Sequence, residues 1–466
     1  MGNVGISFGS PTSGQGFDVS TTVSQIVTNL QAVETPWKNQ VTSLQSQDTA
    51  LTSIGTDLSA LSTALNALSD FQGVFAGKEG SSSDTSVLAL VNATSAAAAG
   101  SHTVQVGQLA QTFSYASGDL GASDILSGSL TIGGQAITIS DGTATDSSGN
   151  RIPANNTLSK LATYINNGDY GVQANVVTDA SGSRLSLVSD TSGGAGAVTI
   201  DSTGLTDTTA SKAVAITQAQ KGQNAQLSVD GISMTSASNT VTTAIPGVTM
   251  QLLDQSSAPV QVEITNNNSN VESAVSTFVT AYNKVVGDLN TQEGQSSSGT
   301  AEPLYGNAMV AMLQQQLQGA ANFTQSSGTI TSLAQLGVTA SKSDDGTLTL
   351  DTSTLDSALN SNYQDAMNFF QTSTSFTSFG GNLTTVLNNA GNSGPSGEIY
   401  LALQQNSSQE TALNTNVTNQ ENTISTEKTQ LTTELNEANY TLEEIPQQLQ
   451  AVNELYSAIT GYNQQH

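Results

Sequence analysis

The residues with chemistry to offer are few. Gly73-Val74-Phe75-Ala76-Gly77-Lys78 has the outline of a phosphate loop, but three residues separate its glycines where four are needed. Glu79 also stands where a hydroxyl would hold magnesium. His102 and His466 are the only histidines and there is no cysteine. A histidine triad, a multi-histidine metal site, a zinc–thiolate site and a disulfide are therefore set aside. No Gly-x-Ser-x-Gly elbow occurs. Asp344-Asp345-Gly346 lacks the following carboxylates of a calcium loop, with Asp351 its only near neighbour, and is read as a turn. The remaining carboxylates are read as solvated surface. No catalytic residue, metal or cofactor is expected.

Charge narrows the partners. The chain has 466 residues, with ten Lys+Arg against 37 Asp+Glu and a formal net charge of −27. Neutralising phosphates needs clustered cations, so nucleic acid is disfavoured, and anionic membrane surfaces likewise. No segment is long and apolar enough to span a bilayer. Met1 to Ser10 has neither a positive region nor an apolar run, so export is expected to use a route other than a Sec-type signal.

With no active site to position, the organising elements are the longest apolar periodicities. Ile399, Leu403, Leu413, Val417, Ile424, Leu431, Leu435, Ala438, Leu442, Ile445, Leu449, Val452, Tyr456 and Ile459 recur at steps of three and four, a coiled-coil seam. Asn406, Glu410 and Gln420 fall on it, where polar groups weaken pairing and fix register. Trp37, Val41, Leu44, Leu51, Ile54, Leu58, Leu61, Leu65 and Leu68 form a second seam near the other end. Closing the intervening loop costs on the order of 5 kcal/mol. Each buried Leu or Ile returns roughly 1.5 to 3 kcal/mol, so a few pairings suffice. The alternative is that each helix packs on a separate core. Leu44, Leu51, Leu58, Leu65, Leu413, Val417, Leu431, Leu435 and Leu442 are the residues expected to carry stalk packing and oligomerisation. Pro36 and Pro446 are expected to act as hinges, since an interior proline removes a helical N–H and clashes with the carbonyl a turn earlier.

Between the seams the period changes. Residues 1–16 are Gly, Ser and Pro-rich and expected to be disordered. A helix opens at Asp18 or Ser20. From Ser86 to about Val262 the pattern alternates, with hairpin signals at Gly133-Gly134 and Asp230-Gly231. One helix, Thr157 to Asn166, stands inside it, and glycine-rich stretches at Gly118 to Gly128 and Gly193 to Gly204 bracket it. Helix returns at Ser269, whose spacing to Glu272 is that of a capping box. Further helices are expected near Asn307 to Leu317, Leu355 to Phe370 and Phe376 to Leu387, with a hairpin over Gly337 to Leu350.

The fold class that follows is α+β and multidomain: terminal helices paired as a coiled-coil or helical-bundle stalk, with a β-rich head of two domains inserted between them. The expected domains are outer terminal helices at 17–36 and 446–466, a helical stalk at 37–75 and 271–445, a first β domain at 80–123 and 205–270, and an inserted β domain at 124–204. The outer pair is expected to be marginal until a neighbour covers it.

Taken in order, several stretches resemble the flagellar filament cap proteins, the hook-associated protein 2 family. They are Gly16-Phe17-Asp18-Val19 with Val23, Ile26 and Val27, the run from Gly100 to Ala110, and Ala225 to Leu253 with Ile245-Pro246-Gly247-Val248-Thr249. Phe278-Val279-Thr280-Ala281-Tyr282-Asn283 and Gly346 to Asp351 complete the series, and Leu158 to Ser189 resembles an insertion module shared with flagellins. Phe17 replaces a usual Leu, His102 a common aromatic, and Pro446 falls where the family more often keeps helix unbroken. The resemblance implies a secreted, non-enzymatic assembly factor at the growing flagellar tip. It would form a pentamer-like homo-oligomeric ring, hold back exported flagellin, promote its polymerisation, and meet hook–filament junction proteins and an export chaperone. Two rivals remain open: a junction or filament subunit, and a surface adhesin with a glycan-binding β head.

Overall fold

Asp18 opens the first helix by accepting a hydrogen bond from the Thr21 N–H at 3.0 Å. In this computed structural model, which describes residues 17–371, 376–391 and 396–460, that helix is α1 (Val19–Gln31). The expected disorder of 1–16 and the last residues of the outer segment, 461–466, lie outside the described residues. After Ala32 and Val33 the chain enters α2 (Glu34–Ser69), two residues before the expected start at Pro36. Pro36 sits in its first turn, where a missing N–H has no intrahelical partner to lose.

Strands β1 (Lys78–Ser82), β2 (Leu88–Ala93), β3 (Gly100–Gln108), β4 (Thr112–Ser117), β5 (Leu126–Ile132) and β6 (Gln135–Thr138) lead to α3 (Leu158–Asn166). Next come β7 (Val172–Asp179), β8 (Gly182–Ser192), β9 (Ile200–Asp201), β10 (Leu205–Asp207), β11 (Lys212–Ala213) and β12 (Ile216–Gln220). Then follow β13 (Ala225–Val229), β14 (Ile232–Ser236), β15 (Thr240–Val241), β16 (Val248–Leu252) and β17 (Val260–Asn266). The rest is α4 (Asn268–Gln292), α5 (Ala308–Ala321), the hairpin β18 (Val338–Ala340) and β19 (Leu348–Leu350), α6 (Thr352–Phe370), α7 (Phe379–Ala390) and α8 (Glu398–Thr460). The expected capping box at Ser269 gives way to Asn267, whose side chain accepts from the Asn270 N–H at 3.0 Å and starts α4 a residue earlier.

The chain divides into two compact units, Phe71–Val271 and the residues on either side of it. The β unit holds two cores. One lies between the sheet β1-β17-β3-β13-β14 and the smaller sheet β15-β16-β2, with Val104, Val106, Met250 and Val262 fully buried. The other gathers Leu130, Ile132, Leu161, Ile165 and Leu187 from the sheets β12-β4-β8-β7 and β11-β10-β5-β6 and from α3. Residues 112–117 and 205–220, expected in the first β domain, pair into the sheets of this second core. The glycine runs misled because they serve the strands themselves. Gly128, at φ +92, lets β5 approach so closely that a Cβ there would stand 1.9 Å from the Gly204 carbonyl oxygen. The chain enters and leaves the second core at an antiparallel bridge between Gln111 and Gln223. Both expected two-residue hairpins form, with φ positive at Gly133 and Gly134 (58° and 82°) and at Asp230 and Gly231 (50° and 81°).

In the helical unit α2 changes partners along its length. Its first half runs along α8, while Ile54 to Leu68, expected to continue a two-helix seam, are buried in a bundle that includes α6 and α7. The reason is length: α8 begins only at Glu398, and α6 and α7 supply the apolar surface that the end of α2 meets. An aromatic cluster completes this core. The Phe369 and Phe379 rings stack at 4.9 Å between centroids, and Phe278 meets Phe379 edge-on at 6.0 Å.

Candidate interaction surfaces

Two antiparallel helices cover α8 in succession. Asn406 Nδ2 donates to Asp48 Oδ1 at 2.7 Å, and Lys38 Nζ reaches Glu421 Oε1 at 3.2 Å, so α2 takes the first part of α8. The Phe17 N–H donates to Asn439 Oδ1 at 2.8 Å and Gln420 Nε2 to the Leu30 carbonyl at 3.5 Å, so α1 takes the next part. Asn406 and Gln420 thus spend their seam positions on cross-helix hydrogen bonds, whereas one oxygen of Glu410 is buried without a partner. Glu34, which the apolar pattern does not reveal, is buried beside Lys38 at 2.7 Å. Its signal was the Glu-to-Lys step of four on a helix face.

Leu44, Leu51, Leu58 and Leu65 are buried, as is Val417, while Leu413, Leu431, Leu435 and Leu442 are half-buried. Along α8 only Ile399, Val417 and Ile424 are fully enclosed among the described residues. A helix covered by one or two neighbours keeps part of its seam open, and periodicity cannot tell how many neighbours there are.

The expected outer pair, Val19 to Val33 with Gln447 to Thr460, is not formed. Because α1 lies antiparallel beside residues 420–439, it ends its run before Pro446. The helix is also unbroken at Pro446, where a break or kink was expected. Proline removes its own N–H and leaves the amides on either side able to bond. Beyond Asn439 cover thins among the described residues: Leu442 and Ile445 are still half-buried, and the apolar positions after them are exposed. Tyr440 is 64% exposed, Leu449 45%, Val452 61%, Tyr456 61% and Ile459 76%. The last four fall at steps of three and four, a continuous apolar face flanked by Glu443, Glu444 and Glu454. Such a face marks a site of association.

The residues with possible chemistry are structural. Lys78 Nζ donates to Asn266 Oδ1 at 2.7 Å, and Val74–Ala76 form a short helical turn instead of a phosphate cradle. His102 Nδ1 lies 2.7 Å from Asp230 Oδ2, and the ring holds the Asp230 carboxyl below its usual range, helped by the Thr103 N–H. That pair pins a hairpin turn to β3. Asp345 accepts from the Thr347 N–H and hydroxyl, as a turn residue does. Among the described residues no group of three or more carboxylates and histidines could hold a metal, and no helix is long and apolar enough to cross a membrane.

Comparison with known families places these surfaces in context. Residues 15–112 match the family described as flagellar hook-associated protein 2 N-terminus, and residues 222–463 its C-terminus. The second β core falls in the gap between the two matches. The B-type flagellar hook-associated protein 2 of Pseudomonas aeruginosa is 28% identical over 329 residues, 64% of this chain and 66% of that protein, so the chain spans just under two thirds of its length. Flagellar hook-associated protein 2 of Escherichia coli K12 is 28% identical over 226 residues, 44% of this chain and 47% of that protein. The crystal structure of the D1-D2-D3 domains of the flagellar cap protein FliD from Escherichia coli shares the fold, with a TM-score of 0.50 at 24% identity over 77% of this chain and 99% of that one.

Proposed function

The chain belongs to the flagellar hook-associated protein 2 family, and on that premise we propose that it caps the growing flagellar filament as a structural factor without enzymatic activity. A ring of copies at the tip retains flagellin delivered through the export channel and guides it into the lattice. The observation that carries this reading is the uncovered apolar face of α8 from Leu449 to Ile459, which a protein acting alone has no use for. Leu44, Leu51, Leu58 and Leu65 hold the helical unit together. Val417 packs inside the helical unit, while Leu413, Leu431, Leu435 and Leu442, with the uncovered face beyond them, contact further copies, flagellin or the hook–filament junction, and an export chaperone shields that face before secretion. The domain between Gln111 and Gln223 is an insertion on the family's shared frame.

Deleting the protein is expected to leave flagellin synthesised and exported but unpolymerised in the medium. Restoring it with Val452→Asp and Tyr456→Asp together is expected to give short or absent filaments, because two carboxylates on the association face cannot be buried unpaired. Normal filaments in the deletion strain would rule out the capping role. Normal filaments with the double substitution would remove the face from it.

A further inference from the structure

The bare end of α8 has a counterpart near the start of the same helix. A groove of about 670 Å³ runs between α2, the first turns of α5 and the first turns of α8. Leu44 and Leu51, both buried, form its floor. Its walls are apolar and open to solvent: Leu401 is 50% exposed and Met312 42%, with Met309 and Ala402 half-buried beside them. The walls are held in place from both sides. Asn406 ties α8 to Asp48 of α2 at 2.7 Å, and Gln316 Nε2 of α5 donates at 3.1 Å to Glu398 Oε1, the charged residue of the lining.

What fits this groove is on the chain itself. Leu449, Val452, Tyr456 and Ile459 make an apolar ridge about 15 Å long, and the groove follows residues 40–51 of α2 for about 16 Å. A chain does not fill its own groove, because Leu401 and Val452 lie about 75 Å apart on one unbroken helix rising about 1.5 Å per residue. The occupant therefore comes from a second copy. Docking with the helices parallel displaces each copy by about that length along the axis, and leaves a bare ridge and an empty groove at the two ends of the series. Two copies with α8 antiparallel fill both sites at once about a two-fold axis. Along the stretch the two helices then share, Leu413, Leu431 and Leu435 keep part of their surface open.

We propose that residues 449–459 of one copy seat in the groove of a second, antiparallel copy, and reciprocally, giving a closed dimer in solution. The proposal rests on the uncovered face and not on the capping role. Few side chains meet at each site, so a dissociation constant on the order of 10 µM is expected, and in dilute protein the end of α8 stays bare. Sedimentation equilibrium of the full chain should show this monomer–dimer equilibrium, tightening as salt screens the charge of −27 on each copy. The chain has no cysteine, so introduced ones report the contact without background. Under mild oxidation the protein carrying both Leu401→Cys and Val452→Cys should run as a covalent dimer and nothing larger, and a mixture of the two single variants should also cross-link. Each single variant alone should stay uncross-linked. Leu401→Lys and Met312→Lys, both at exposed positions, should each weaken association at least about tenfold, with circular dichroism showing that the helices are retained. A chain that remains monomeric up to about 200 µM would overturn the proposal. So would a ladder of larger species from the double-cysteine protein, cross-linking of Val452→Cys to itself, or association that appears only when flagellin is added. Filament length is read separately. Loss of the dimer in Leu401→Lys with filaments of normal length would uphold the groove, and normal filaments in the deletion strain would end the capping role while the dimer stands.

Discussion

Tyr282 and Gly380 show how single residues set the limits of the helical core. The Tyr282 phenol is raised from 10.0 to about 12 by burial. Its folded value thus exceeds its unfolded one, so the folded state holds the proton more tightly. The stability this lends is complete below pH 10 and is lost as pH climbs toward 12. Alkaline unfolding followed by circular dichroism should show a loss on the order of 2 kcal/mol across that window. In Tyr282→Phe the part due to this residue should vanish while stability near pH 7 stays equal or rises, since an unpaired buried hydroxyl has been removed. Gly380 works by absence. A Cβ there would lie 1.6 Å from the Phe370 carbonyl oxygen, where the Phe370 and Phe379 rings meet edge-on. Gly380→Ala is expected to cost about 3 kcal/mol, read as a lower urea midpoint at unchanged slope.

At the scale of elements, α8 is two helices in one. Up to Asn439 it is covered in turn by α2 and α1, Leu442 and Ile445 are half-buried, and from Leu449 on its apolar residues face outward. A lone helical stretch of this length is marginal in water. The amides of residues 447–460 should therefore exchange quickly in the isolated protein, and those of 19–31 more slowly, because α1 is anchored at Asn439 and Gln420. Hydrogen exchange with mass spectrometry on the free protein and on capped filaments measures both, with protection of 447–460 expected only on the filament. Pro446→Ala restores a donor facing the Leu442 carbonyl and should slow exchange in that stretch without a filament. Unchanged exchange would mean the helix beyond Tyr440 is limited by its missing partner alone.

For the whole molecule, the consequential feature is that the chain enters and leaves the second β core at one bridge, beside which Ser192 Oγ donates to the Ala237 carbonyl and the Gly194 N–H to Asn224 Oδ1. Gln111 and Gln223 exchange backbone hydrogen bonds of 2.8 and 3.1 Å, continuing the pairing of β3 with β13. Replacing residues 112–222 by Asn-Gly, a turn suited to antiparallel neighbours, should leave the first core folded. Cooperative thermal unfolding of the shortened chain, with its helical circular dichroism retained, is the expected result. Loss of cooperativity would mean the two cores are one folding unit. The cut falls at 112 and 222, not at the 124 and 204 suggested by the glycine runs.

Local chemistry was legible in the sequence because its causes are local. Asp18 as a helix cap, Gly133-Gly134 and Asp230-Gly231 as hairpin bends, and the periodicity of Leu44 to Leu68 each act within one turn or one strand, so residue type alone determines them. The absence of a histidine or cysteine constellation was equally plain. What covers a face is decided elsewhere in the chain, and there tertiary structure had the last word. The same leucine spacing is closed at Leu58, half-open at Leu431 and bare at Leu449, because α6 and α7, α1, and no described element, respectively, lie opposite. Glycine spacing could not separate a linker from a close strand approach, since Gly128 is required by Gly204, a residue far along the chain. The outer edge of β19 was illegible for the same reason: the partner that closes it is a single asparagine, Asn283, brought there by packing.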